Sequence, residues 1–215
     1  MKRTQVEDGT LLTKRFDDAF AYAAELHREQ KRKGTDIPYV SHLLSVAALV
    51  LEHGGDEDEA IAALLHDAAE DQGGQEALNQ IRQRFGPAVA DIVAACSDTF
   101  ETPKPPWTER KEAYIAHVRA ASPSTRLVSA ADKLHNARTI LADLRTHGPD
   151  VWRRFTVGDP EQILWYYESL LDAFAGQTAP HPGSAEKPGA FDALVRELGF
   201  VVRAIRDEAT AAPAS

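Results

Sequence analysis

Apolar residues recur along this chain at the three- and four-residue spacing of helices, and convincing strand-like alternation is absent. Phe16, Phe20, Ala23, Ala24 and His27 form one stripe of a first helix over residues 13–33, closed by Gly34, with Pro38 in the loop beyond. "YVSHLLSVAALVLEHGG" predicts a second helix, ended by Gly54-Gly55. "DEDEAIAALLHDAAED" predicts a third, whose acidic opening suits the positive end of the helix dipole and which Gly73-Gly74 close. "QEALNQIRQRF" and "GPAVADIVAACSDTF" read as two helices divided at Gly86-Pro87. After the proline-rich loop "ETPKPPW", "TERKEAYIAHVRAA" predicts a helix with Thr108 as its N-cap. "STRLVSAADKLHNARTILADLRTHG" carries Leu127, Ala131, Leu134, Leu141 and Leu144 on its inner face. "PEQILWYYESLLDAFAG" and "AFDALVRELGFVVRAIRDEA" supply two more helices, separated by a flexible loop at 176–189 and followed by the frayed end "TAAPAS". The expectation is an all-α helical bundle.

Composition narrows the function without naming it. At 215 residues the chain suits one sizeable domain. A net charge of −9 argues against a general nucleic-acid binder, which needs a basic surface. A small anionic ligand is still compatible, since local charge can oppose the total. The single cysteine, Cys96, lies in an apolar run and reads as a buried structural thiol. The start of the chain lacks the apolar core of a signal peptide, and no segment approaches the roughly 20 apolar residues of a membrane span. The expectation is a cytoplasmic protein without a membrane partner.

Against this background a few polar residues stand out. His42 sits among Leu43, Leu44, Val46, Ala47 and Val50. His66 and Asp67 are adjacent at the end of the apolar run "AIAALL". Asp132 follows Ala130-Ala131, with Asn136 and Thr139 at i+4 and i+7 on its face. Singly, each reads as well as a satisfied core residue, a cap or a salt-bridge partner. Together they offer two imidazoles and two carboxylates from three helices, a mixed N/O donor set for a divalent ion such as Mn, Fe, Co or Zn. Such an ion would offset the cost of burying the carboxylates and supply a nucleophile from water. Glu70 lies one helical turn beyond His66-Asp67, and Asp71 follows it; a carboxylate there, not itself a ligand, suits general acid/base work. Arg32 and Lys33 precede Gly34 and read either as a solvated helix end or as a grip for phosphate. Arg110 and Lys111 read as a solvated helix face, and Trp165-Tyr166-Tyr167 as core with one exposed tyrosine.

The ordered pattern His … His-Asp … Asp resembles the HD-domain metal-dependent phosphohydrolases. "RKGTDIPYVSHLLSVA", "ALLHDAAED" and "ADKLHNART" are similar to the three signature regions of the hydrolase domain of RelA/SpoT-type enzymes, in particular their stand-alone small alarmone hydrolases, over roughly residues 14–175. The resemblance implies a Mn2+ site with His42, His66, Asp67 and Asp132 as ligands, and Glu70 and Asp71 as the catalytic acidic pair. It implies Arg32, Lys33 and Asn136 near the substrate, with Thr139 a turn further on, and hydrolysis of the 3′-diphosphate of ppGpp or pppGpp to release pyrophosphate. The hydrolase domain would occupy residues 1–175, with the helix and tail at 190–215 packed on it. Two features depart from the family: the "GTDI" loop, and Gln72 where threonine commonly follows Glu-Asp. The competing readings are the same site acting on another phosphorylated nucleotide such as NADPH, and a non-catalytic nucleotide sensor.

Overall fold

The computed structural model describes residues 11–99, 103–175 and 189–210. Within them the chain is helical, the only extended pairing being one isolated bridge between Lys31 and Pro38. The helices are α1 (Lys14–Leu26), α2 (Val40–Glu52), α3 (Glu57–Leu65), α4 (Ala68–Gln72), α5 (Gly74–Phe85), α6 (Pro87–Cys96), α7 (Trp107–Ala120), α8 (Pro123–His147), α9 (Pro160–Ala175) and α10 (Ala190–Thr210). A 3-10 turn, Gly148–Arg154, joins α8 to the segment before α9. The loop at 176–188 and the tail beyond 210, both expected to be flexible, lie outside the described residues.

Local chemistry sets the boundaries. The Thr13 hydroxyl accepts from the Arg15 amide and starts α1. Asp56 and Glu59 form a reciprocal capping box at the head of α3. Ser122 caps α8, and Pro123 occupies its first turn, where a missing N–H costs nothing. Gly86, at φ 95°, makes the left-handed step between α5 and α6 that a side chain would resist.

Two helices form the centre. In α3 every residue from Glu59 to Leu65 is buried. α8 is buried continuously from Thr125 to Asp132, hiding Arg126, Ser129 and Asp132 as well as Leu127 and Ala131, and buries Leu134 and Leu144 further on. α8 contacts α2, α3, α6, α7, α9 and α10, so the apolar stripe read from its sequence understates its burial. Alanines at 60, 62, 63, 130 and 131 are fully buried and keep side chains short along α3 and α8. α10 lies along α8 and α9, with Phe191 packed edge-on to Phe174 and ion pairs Arg138–Glu197, Arg145–Glu208 and Arg206–Glu168 across the seam.

Several expectations need correction. The first helix stops at Leu26 rather than running to Lys33. Beyond it, Arg32 N bonds to Ile37 O and Tyr39 N to Gln30 O, folding residues 30–39 back as a tight loop. Its buried stripe is Ala19, Tyr22 and Ala23, while Phe20 is exposed. α7 starts two residues earlier than a Thr108 cap would set it, at Trp107 after Pro106, and Thr108 does not cap it. The third helix is broken: Asp67, at φ −94° and ψ −5°, leaves helical geometry and separates α3 from α4. Leu141 and Cys96 are only partly buried, although both pack against the core. Burial pushes the Cys96 thiol up to about 12, which makes it a poor nucleophile.

Candidate metal centre and cavity

The break between α3 and α4 shapes the site. On an unbroken helix His66 and Asp67 would project about 100° apart. Across the turn that joins α3 to α4, His66 Nε2 and Asp67 Oδ2 nevertheless lie 3.0 Å apart. From α2, His42 Nε2 comes within 3.6 Å of Asp67 Oδ2. From α8, Asp132 Oδ1 lies 3.2 Å from His42 Nε2 and 3.6 Å from His66 Nε2. One ligand atom each from His42, His66 and Asp67 fits within 4.8 Å, and Asp132 approaches both imidazoles from α8.

The histidine tautomers prepare these atoms for a cation. His66 Nδ1–H donates to Ala63 O at 2.8 Å, so Nε2 is the ring nitrogen that faces the carboxylates; burial opposes its protonation, but Asp67 and Asp132 raise His66 well above the usual histidine range, and a bound cation would take the place of that proton. That Nε2 is buried and has no hydrogen-bond partner despite the nearby carboxylates. His42 Nδ1 lies 2.7 Å from His135 Nδ1. Burial and the neighbouring His42 and Arg32 push His135 down to about 4. His135 is therefore a neutral acceptor for the His42 Nδ1–H, and Nε2 is the His42 nitrogen that faces Asp67 and Asp132. Although burial opposes ionisation, His66 and His42 hold Asp67 well below the usual carboxylate range. Asp132 is held low in the same way, chiefly by Lys133 with the two histidines. Two carboxylates held ionised and two imidazole Nε2 atoms that face them fit a divalent cation in charge and donor type, the cation replacing protons on the rings.

His135 went unrecognised as a partner in the sequence because its contact spans 93 residues. Replacing it with leucine removes the acceptor that orients His42. Metal affinity should fall about 10- to 100-fold, as for other lost second-sphere partners. A titration in metal-buffered solution checks this, and unchanged affinity would refute the role.

Beside the cluster opens a cavity of about 580 Å³. Its floor consists of groups that touch the four residues: Tyr39, whose hydroxyl donates to Asp67 Oδ2; His135; and Lys133 and Asn136, both bonded to Asp132. The other expected residues divide. Arg32 Nη2 donates to Asn136 Oδ1 at 2.7 Å, and Asn136 Nδ2 to Asp132 Oδ1 at 2.5 Å, so a chain of polar contacts links the cavity wall to the cluster. Lys33 Nζ reaches Thr156, and Thr139 also lines the cavity, its hydroxyl donating to His135 O. Asp71 lines it too, held by Gln30 Nε2 at 2.7 Å, while Gln72 donates to Gln30 Oε1. Burial and the Asp67 charge raise the Asp71 carboxyl above its ordinary value. Glu70 is not among the lining residues; it accepts from Asp98 N at 3.1 Å and Lys104 Nζ at 2.7 Å.

Two further expectations change. Arg110 and Lys111 are not a solvated face: both are largely buried against Asp98, and Lys111 lines the cavity. Tyr166 and Tyr167 are both buried and line the cavity, and the exposed member of that triplet is Trp165.

Comparison with known proteins agrees with this architecture. An HD domain family model matches residues 19–157. The chain is 38% identical over 154 residues to the guanosine-3′,5′-bis(diphosphate) 3′-pyrophosphohydrolase MESH1 of Xenopus tropicalis, covering 70% of this chain and 80% of that one. It is 34% identical to the Homo sapiens protein of the same name, covering 65% and 75%. A solved structure described as a metazoan ortholog of SpoT that hydrolyzes ppGpp and plays a role in starvation responses superposes with a TM-score of 0.69 at 27% identity, over 91% of this chain and 97% of that one. The chain belongs to the HD-domain family, and within it to the group represented by MESH1 and the metazoan SpoT ortholog. Among the described residues, no helix is long and apolar enough to cross a membrane.

Proposed function

We propose that this protein is a Mn2+-dependent 3′-pyrophosphohydrolase of ppGpp and pppGpp. One observation carries the reading: the buried, unpartnered His66 Nε2 sits among His42, Asp67 and Asp132 beside a cavity that also presents Arg32 and Lys33. MESH1 relatives, named for this reaction, support the choice of substrate. His42, His66, Asp67 and Asp132 would hold the ion, which supplies Lewis acidity toward phosphate and water when bound.

The chain's own groups account for the rest. A water oxygen bonds to the inner phosphorus of the 3′-diphosphate while the bond from that phosphorus to the ribose 3′-oxygen breaks. Asp71, exposed to the cavity and raised in pKa, takes the water's proton. The leaving 3′-oxygen takes up a proton from solvent in exchange for the one passed to Asp71, and pyrophosphate and GDP or GTP depart. Glu70, beside Asp71 and engaged by Lys104, completes the acidic pair. Arg32 and Lys33 grip phosphate oxygens, with Asn136 and Thr139 beside the nucleoside.

The test is a turnover assay on the Mn2+-loaded protein against ppGpp, pppGpp, NADPH and ordinary nucleotides. Pyrophosphate plus GDP from ppGpp, abolished by chelation, is the expected result. Metal-dependent turnover confined to another nucleotide would move the substrate, and bound metal without any turnover would favour a sensor. In the same assay Arg32→Ala should raise KM for ppGpp about tenfold or more, the worth of a lost charge-assisted hydrogen bond, while kcat changes little. An unchanged KM would remove Arg32 from phosphate binding.

A further inference from the structure

Behind Asp71 stands a set of polar side chains that the reaction described above leaves unused. α4 has only five residues and closes on Gly73, so Asp71 lies in the last turn of a short helix, with its side chain exposed at the cavity. A carboxylate so placed has several rotamers open to it, and only some of them meet a given water. A tether comes from the loop between α1 and α2, where Gln30 Nε2 donates to Asp71 Oδ2 at 2.7 Å.

Gln30 can hold that carboxylate because its own amide is held. Its Oε1 accepts from Gln72 Nε2 at 2.5 Å and lies 2.6 Å from His27 Nδ1. An amide oxygen only accepts, so His27 Nδ1 carries the proton and donates it. His27 ends α1 and is 2% exposed, and its ring stacks on Tyr39 with centroids 5.3 Å apart and planes 20° from parallel. His27 Nε2 has no hydrogen-bond partner among the described residues, which leaves Gln30 as the polar anchor of the ring. The Gln30 amide therefore has one permitted orientation. Turned over, its NH2 would face two N–H donors and its oxygen would face a carboxylate, so three hydrogen bonds would become three contacts of like with like.

We propose that Gln72 and His27 lock the Gln30 amide in one orientation, and that Gln30 is thereby the positioning residue that holds the Asp71 carboxylate toward the water it deprotonates. The inference rests on the function proposed above and deepens it. Gln72 is not among the residues that line the cavity, so it acts through Gln30 and touches no substrate.

The experiment uses the full, metal-loaded chain. Nitrogen-15 relaxation of the Gln30 side-chain amide reads the lock apart from turnover, with Zn2+ in place of Mn2+ because a paramagnetic ion broadens the signal. The wild-type amide should be as rigid as the backbone, and in Gln72→Met it should become mobile. Steady-state kinetics with Mn2+ and ppGpp read the consequence. kcat should fall about tenfold in Gln72→Met and about 10- to 100-fold in Gln30→Met, while KM changes less than about twofold and metal content stays the same. Gln72→Lys retains a donor for Gln30 Oε1 and should restore both the rigid amide and most of kcat, which a loss of packing would not explain. Gln72 is only half-buried, so its variants should fold even if Gln30→Met does not. A mobile Gln30 amide in wild type overturns the lock, as does a Gln72→Lys variant as impaired as Gln72→Met. If ppGpp is hydrolysed with the same kcat by wild type and both methionine variants, or if only KM rises, the positioning role falls and the function stands. If wild type turns over no nucleotide but its Gln30 amide is rigid and Gln72→Met frees it, the lock stands and the reaction falls.

Discussion

Replacing Asp132 with alanine should abolish bound metal and turnover together, and lower stability as well. Asp132 is buried and lies on contacts from four directions: His42 Nε2, His66 Nε2, the Lys133 ammonium and the Asn136 amide. Without its carboxylate the cluster loses one of its two anionic donors, and a dication is no longer matched in charge. Lys133 is left buried without its counter-ion, a situation that costs about 3–5 kcal/mol when one partner of a buried pair is removed. Asn136, freed from Asp132, also no longer fixes the position of Arg32. Elemental analysis of the purified variant, its turnover of ppGpp and its thermal midpoint should all fall. Asp132→Asn separates the effects: it keeps a hydrogen-bonding group of similar shape but removes the charge, so metal and activity go while part of the stability returns. Full metal content in Asp132→Ala would show that the other three residues suffice and that Asp132 is not a ligand.

The amphipathic periods of α2, α9 and α10 are visible in the sequence because each has one apolar face and one polar face. His42, His66, Asp67 and Asp132 are equally visible, since each interrupts a run that burial alone would keep apolar. What periodicity does not reveal is a change of a few tens of degrees at a single residue. Asp67 stands at the turn between α3 and α4 without a glycine or proline to mark it, and its side chain meets those of His66 and His42 there. The early end of α1 is hidden for a similar reason. "HREQKRK" has sound helix formers, but the backbone pairing of Lys31 with Pro38 competes for the chain. The partners of His135 and Lys111 depend on packing between distant helices. A basic pair on a helix looks solvated until Asp98, from the end of another helix, is placed against it.

Asp71→Asn should lose most of its turnover and yet gain stability at neutral pH. The opposition follows from where the carboxyl sits. Burial and the charge of Asp67, with a smaller push from Glu70, raise its folded pKa above the unfolded value. An acid raised in this way is protonated in the folded state over a window in which the unfolded chain has already ionised. The folded state then binds more protons, so stability falls as pH rises from the unfolded pKa through the folded one. Above both values the penalty is constant, and at neutral pH the wild-type chain carries all of it. Asparagine never ionises, so the variant should be the more stable above that window, and the advantage should vanish as pH falls below the unfolded pKa of about 3.9. Thermal unfolding of the metal-stripped wild type and variant across pH reads this directly, because an ion at Asp67 would mask part of the repulsion. The amide oxygen of the substituted side chain could still accept from Gln30 Nε2, so the gain would reflect charge rather than a lost contact. Turnover should fall about 10²- to 10⁴-fold if Asp71 moves the proton, with metal content unchanged because it stands outside the His42–His66–Asp67 group. A variant less stable at neutral pH would show that the Gln30 contact outweighs the repulsion from Asp67. Full turnover would transfer the proton to Glu70, whose carboxylate would then have to leave Lys104 to reach the cavity.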